Sequence, residues 1–131
     1  MNKLAEEITV VQAIAPQDIG TADVTGSYIS MSGATKVLAV LTTASLTADK
    51  IATVELLQAT DSSGTGAKAL KAAVTGTAPT GNGAVTVQVE ALAEEFDTNN
   101  DFAYFAVKAT CDEDAKVGAA VAILGGLRYS N

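Results

Sequence analysis

At 131 residues, with 15 acidic against 8 basic side chains and a net charge of −7, the chain is the size of one domain. Its charge has the wrong sign for gripping nucleic acid or an anionic membrane surface, since both need a cationic footprint. Histidine and tryptophan are absent and cysteine occurs once, which excludes an internal disulfide framework and the usual His-based acid–base sites.

Hydrophobic residues reach 48% but aromatics only 5%, so the core must be built from Val, Leu, Ile and Ala. The 25 alanines and 16 threonines together make up about a third of the chain. Each alanine buries only a CH₂ or two of apolar surface, so the core is thin. Such a core gains from self-association or from docking onto a partner.

In chain order, residues 3–15 alternate weakly, with Ile8, Val10 and Gln12 opposed to Thr9 and Val11. Met1–Ala15 therefore reads as a first strand or an extended arm, interrupted by Pro16, with residues 16–131 forming a single β domain. The opening residues lack the long apolar core of a signal peptide. The apolar run Val117–Leu127 is broken by glycines and too short to span a bilayer. A soluble protein made in the cytoplasm is expected.

Thr25-Gly26-Ser27 is a turn, and Tyr28–Ser32 a short strand with Ile29 and Met31 on one face. Lys36–Thr43 is apolar on both faces, the pattern of a central strand covered on each side. Ile51–Thr60 is a strand, and Asp61–Gly66 a turn cluster. Lys68–Val74 is Ala-rich enough for a helix, but its place between two turn clusters favours a strand. Gly76–Gly83 reads as a loop. Ala84–Glu90 alternates Val with polar residues without a fault, as a half-buried strand must.

Ala91–Phe96 fits either one helical turn or the end of that strand, and Asp97–Asp101 is a polar turn. In Phe102–Cys111 the residues Phe105, Val107, Ala109 and Cys111 share one face. Val117–Leu124 is the last strand. Seven or eight strands at regular spacing predict an all-β, single-domain antiparallel sandwich, jelly-roll-like, or a barrel.

Candidate chemical motifs dissolve on inspection. Ser63–Lys68 is superficially like a phosphate-binding loop, but Ala67 separates glycine from lysine. Asp97, Asn99 and Asp101 match the opening spacing of a calcium loop, yet Phe102 stands where glycine is needed and Lys108 where the bidentate Glu belongs. Glu94-Glu95 and Asp112–Asp114 read as solvated turns rather than paired catalytic carboxylates. Cys111, beside three acids, reads as a small buried apolar residue. No enzyme activity, cofactor or metal is expected. The remaining candidates are interface anchors: Ile8 and Val10 in the first strand, Tyr28, and the pair Arg128 and Tyr129, with Arg128 the only arginine.

Several segments together carry a family likeness: Gly26–Met31, Ala52–Asp61 with Gly64–Lys68, Val107–Asp112, and Gly118–Ala120 through to Arg128-Tyr129. In these the chain resembles the small structural proteins encoded in tailed-bacteriophage and prophage virion-gene clusters. The resemblance implies a non-enzymatic virion protein, most closely a capsid decoration (cement) protein assembled in the host cytoplasm. It would bind the major capsid protein on the outside of the expanded shell, as a homo-oligomer with a trimer favoured. A tail, neck or head-fibre component has the same composition. A carbohydrate-binding β-sandwich is the reading outside phage, and it would need exposed aromatic rings in a groove.

Overall fold

The computed structural model describes residues 7–126. Ten strands occupy them: β1 (Thr9–Asp18), β2 (Val24–Thr25), β3 (Ile29–Ser30), β4 (Lys36–Thr43), β5 (Ile51–Ala59), β6 (Lys68–Ala69), β7 (Val74–Thr77), β8 (Thr86–Leu92), β9 (Tyr104–Cys111) and β10 (Val117–Gly125). Two 3₁₀ turns, Ala93–Glu95 and Thr98–Asn100, bridge β8 to β9.

The strands form two antiparallel sheets. The first has the order β1-β10-β4-β8; the second runs β2-β9-β5-β6, with β3 also on β9 and β7 also on β5. Counting β2 with β3, and β6 with β7, as one position each leaves eight positions. Their pairings are nested: first with last (β1 with β10), second with seventh (β2 and β3 with β9), third with sixth (β4 with β8), fourth with fifth (β5 with β6 and β7). That is one long antiparallel ribbon rolled up until β10 meets β4 and β9 meets β5, which is the connectivity of a jelly roll.

Inner faces follow the alternation written in the sequence. Val85, Val87, Val89 and Ala91 are buried on and beside β8, while Thr86, Gln88 and Glu90 are exposed. On β9 the inward residues are Phe105, Val107, Ala109 and Cys111, and they meet Val37, Ala39 and Leu41 of β4 in one core cluster. Phe105 is the largest fully buried side chain.

Two local readings need correction. Pro16 does not end the first strand. It lies within β1, at the edge of its sheet, where the register shifts between Ile14 and Gln17. An edge strand at a bulge has no ladder bond for the missing proline N–H to spoil. A second shift, between Gln12 and Ile14, turns the neighbours Ala13 and Ile14 inward together, which is why the alternation there looks weak. The segment 68–77 also differs: it is two short strands, and β7 runs into what reads as loop.

The acidic turns are stitched to the fold rather than merely solvated. The Thr47 N–H donates to Glu113 Oε1 at 2.8 Å, and the Thr47 hydroxyl donates to Oε2. The Ile51 N–H donates to Asp112 Oδ1 at 2.7 Å. Asp18 accepts from the Gly20 and Thr21 N–H groups and the Thr21 hydroxyl, and Asp61 accepts from Ser63 and Thr65 likewise. Hydrogen bonds donated first by the Thr21, Thr65 and Thr47 hydroxyls hold Asp18, Asp61 and Glu113 below the ordinary carboxylate range.

A carboxylate whose folded-state pKa is depressed contributes fully above its unfolded-state value, about 4, and loses that contribution as pH falls through the lower folded-state value. The expected outcome is a melting temperature level from neutrality to about pH 5 that declines below about pH 4. These groups are exposed, so the decline is gentle, and Glu113→Gln removes part of it. Thermal melts across that pH series test this; a melting temperature that rises on acidification contradicts it.

Candidate interaction surface

The two sheets differ on their outer faces. On the second sheet, β5 and β9 present Thr53, Glu55, Lys108 and Thr110 outward, with Glu55 in register against Lys108. Lys108 Nζ also pairs with Asp23 at 3.1 Å, a hydrogen bond that holds the lysine above its ordinary pKa. This face suits water.

The first sheet is different. Its outward residues form rows across the strands, read from the register. One row is Gln12, Val121, Val40, Gln88; the next is Val10, Ile123, Leu38, Glu90. The end row is Gly125, Lys36 and Leu92, and Ile8, just ahead of β1, lines a shallow groove of about 150 Å³ alongside Lys36, Leu38, Glu90, Ile123 and Gly125. Val10 is 60% exposed and Leu92 40%, while Leu38, Val40, Val121 and Ile123 are half-buried by their neighbours. A contiguous aliphatic patch on one sheet face, rimmed by Gln12, Gln88, Glu90 and Lys36, is the mark of an interaction surface.

Lys36–Thr43 is apolar on both sides for this reason. β4 is central in sheet order, between β10 and β8, but among the described residues only its inner face is covered, by the second sheet. Leu38, Val40, Val121 and Ile123 are the residues that sequence reasoning passed over. For Leu38 and Val40 the signal lies in the doubly apolar run Lys36–Thr43, which reads as coverage on both faces; Val117–Leu124 reads only as the last strand.

Of the anchors named from sequence, Ile8 and Val10 lie together on this face. Tyr28 does not: it is half-buried on the other sheet's side, where a Cβ on Gly64 would come within 2.7 Å of its ring. Gly64 has φ +82°, so the turn at residues 61–66 uses the freedom of glycine to lie against that ring. Arg128 and Tyr129 lie outside the described residues, as does the start of the Met1–Ala15 segment.

At one end of the sandwich, Met31, Phe96 and Phe102 line a crevice of about 220 Å³, below the roughly 300–1,000 Å³ of small-molecule sites. Lys68 Nζ sits 4.4 Å from the Phe102 ring centroid and 2.6 Å from Asp97 Oδ2. Asn100 also donates to Asp97, so the carboxylate of the acidic turn is occupied by its own neighbours. The Lys68 hydrogen bond, first among these, holds Asp97 below the ordinary carboxylate range. Among the described residues, no group of three or more His, Cys, Asp or Glu is gathered as a metal site would need, and no helix is long and apolar enough to cross a membrane.

No protein-family model matches the sequence, and no curated protein matches it. Solved structures share the general architecture at low identity. A chain in the structure of infectious bursal disease virus Gx strain is 10% identical with a TM-score of 0.48, over 94% of this chain and 33% of that one. This chain thus spans about a third of its length. A chain of the naturally occurring empty particles of Cowpea mosaic virus is 7% identical, TM-score 0.46, over 89% of this chain and 82% of that one. A non-crystalline cellulose specific carbohydrate-binding module is 12% identical, TM-score 0.45, over 95% and 80%. At such identities the likeness extends to sheet architecture alone. The nested strand order of this chain makes it an all-β jelly-roll sandwich in its own right.

Proposed function

We propose that this chain is a non-enzymatic structural protein of a tailed-phage virion, a decoration protein that binds the major capsid protein on the outside of the expanded head. The observation that carries this reading is the uncovered aliphatic face of β1, β10, β4 and β8 on an otherwise acidic sandwich. A protein with such a face works by being covered. The sequence resemblance supplies the virion setting.

The mechanism is mass action. A protein that binds only the mature lattice stabilises it by RT ln(1 + [L]/Kd), about 2.7 kcal/mol per site at a hundred times Kd. Multiplied over many copies, that holds a shell against internal pressure without any chemical step.

Carbohydrate binding lacks a platform here. Phe96, Phe102 and Phe105 are buried, and Tyr28 and Tyr104 are half-buried. Flat aromatic faces for stacking a sugar are therefore not presented by the described residues.

The test is to mix purified protein with expanded, undecorated capsids and pellet the particles. Stoichiometric co-sedimentation with expanded heads, and none with unexpanded ones, is expected. Protein that stays in the supernatant at capsid-site saturation, or that pellets only with tails, overturns the assignment.

A further inference from the structure

We infer that the aliphatic face of the first sheet pairs with the same face of a second copy, about a two-fold axis running along the strands between β10 and β4. This rests on the reading of that face as one that works by being covered within an assembly, and names a second copy of the chain as what covers it.

The rows themselves carry the argument. Gln12–Val121–Val40–Gln88 reads the same in both directions across the sheet. Folding two copies together about the β10–β4 seam places Val121 on Val40 of the second copy, and Gln12 on Gln88. The next row sets Ile123 against Leu38, side chains of equal volume, and leaves Val10 and Glu90 at the rim. At the end row Ile8, just ahead of β1, meets Leu92, and Lys36 meets Gly125, which offers no side chain to obstruct it. An isologous contact needs a surface complementary to itself; the Gln12–Val121–Val40–Gln88 row meets that condition, and Ile123 with Leu38 meets it by volume, while Val10 comes to lie over Glu90 of the second copy at the rim. On the second sheet's outer face, by contrast, Lys108 is already held by Asp23 of the same copy at 3.1 Å.

Area sets the strength. Four strands about 4.8 Å apart and seven residues at about 3.4 Å cover roughly 450 Å² a side, so about 900 Å² for a pair. Specific interfaces begin near 1,000 Å². Pairing is therefore weak in dilute solution, half-complete somewhere in the range of about 1–100 µM, and complete at the local concentration of a crowded surface. Each copy carries a charge of −7, so the copies repel, and pairing tightens as salt screens them.

Sedimentation equilibrium from about 1 µM to about 1 mM, at low and high salt, reads this directly. A monomer–dimer equilibrium that strengthens with salt is expected, with Val121→Lys weakening it by about 100-fold or more by placing a charge on the seam. Registration is read separately with a thiol crosslinker spanning about 8 Å, since facing sheets stand about 10 Å apart. A mixture of the Gln12→Cys and Gln88→Cys proteins is expected to form a crosslinked pair. Either alone should not, because its two cysteines lie three strand spacings apart across the seam as well as one sheet spacing apart in depth, about 17 Å in all. Native Cys111 is buried at 5% exposure and does not interfere. A monomer at about 1 mM, a trimer, or crosslinking of either variant alone overturns the pairing. Monomers that still co-sediment with capsids would overturn this inference and leave the virion reading standing; dimers that ignore capsids would do the reverse.

Discussion

Phe105→Ala is expected to lower the free energy of unfolding by about 3–5 kcal/mol, the usual cost of emptying a phenylalanine site in a core. Phe105 is fully buried, at 0% exposure, and is the largest such side chain among the described residues. Around it the cluster is mostly Val and Ala, small side chains that cannot reach in to fill the space the ring would vacate. A domain of this size has a margin of only about 5–15 kcal/mol, and losing about a fifth of it or more will shift the urea midpoint far to the left. Val121→Ala is the control: on the outer face of the same sandwich it should change the stability of the isolated monomer by well under about 1 kcal/mol. Urea unfolding of the two variants decides it, and near-equal midpoints would mean that the inner and outer faces are misassigned.

That contrast also marks how far the sequence could be read. β8 and β9 are legible because nothing interrupts their period of two: Val85, Val87 and Val89 go in, as do Phe105, Val107, Ala109 and Cys111. β1 is not, because its bulges after Gln12 and Ile14 reset the phase within ten residues. The two-residue strand β2 has no local pattern of its own and is held only by the ladder β9 offers it, whereas β3 falls inside the short strand read at Tyr28–Ser32. On the candidate face, Ile8 and Val10 were named from sequence as anchors of a first strand or arm. Leu38, Val40, Val121 and Ile123 were not, because an apolar run says that two faces avoid water without saying what covers each. Only the sheet order, with one sheet behind β4 and none in front, separates a packed face from an open one. The hydrogen bonds of the solvated 112–114 turn were not legible for a related reason: their backbone partners, Ile51 and Thr47, are more than sixty residues away in sequence.

Gly26→Ala is expected to cost about 2–3 kcal/mol or more, although it adds a single methyl group. Gly26 lies between β2 and β3, and its N–H donates to the Val107 carbonyl of β9 at 2.9 Å. On its other side a Cβ would overlap the backbone carbonyl oxygen of Ala13 in β1, with the Ile14 side chain 3.3 Å away. Neither neighbour can give way cheaply. Moving Gly26 off β9 breaks a ladder bond in one sheet, and moving Ala13 disturbs the bulge that turns both Ala13 and Ile14 into the core. The residue is thus the point where the edges of the two sheets approach closely enough to close that side of the sandwich, a contact only glycine permits. Gly81 provides the matched comparison: nothing lies within 4 Å of a Cβ built there, so Gly81→Ala should be neutral or stabilising by a few tenths of a kcal/mol through the unfolded chain. Thermal and urea unfolding of the pair separate steric closure from the general cost of replacing glycine. If Gly26→Ala melts with Gly81→Ala, the β1–β2 edge is looser than described, and the inward turn of Ala13 and Ile14 must be held by β10 alone.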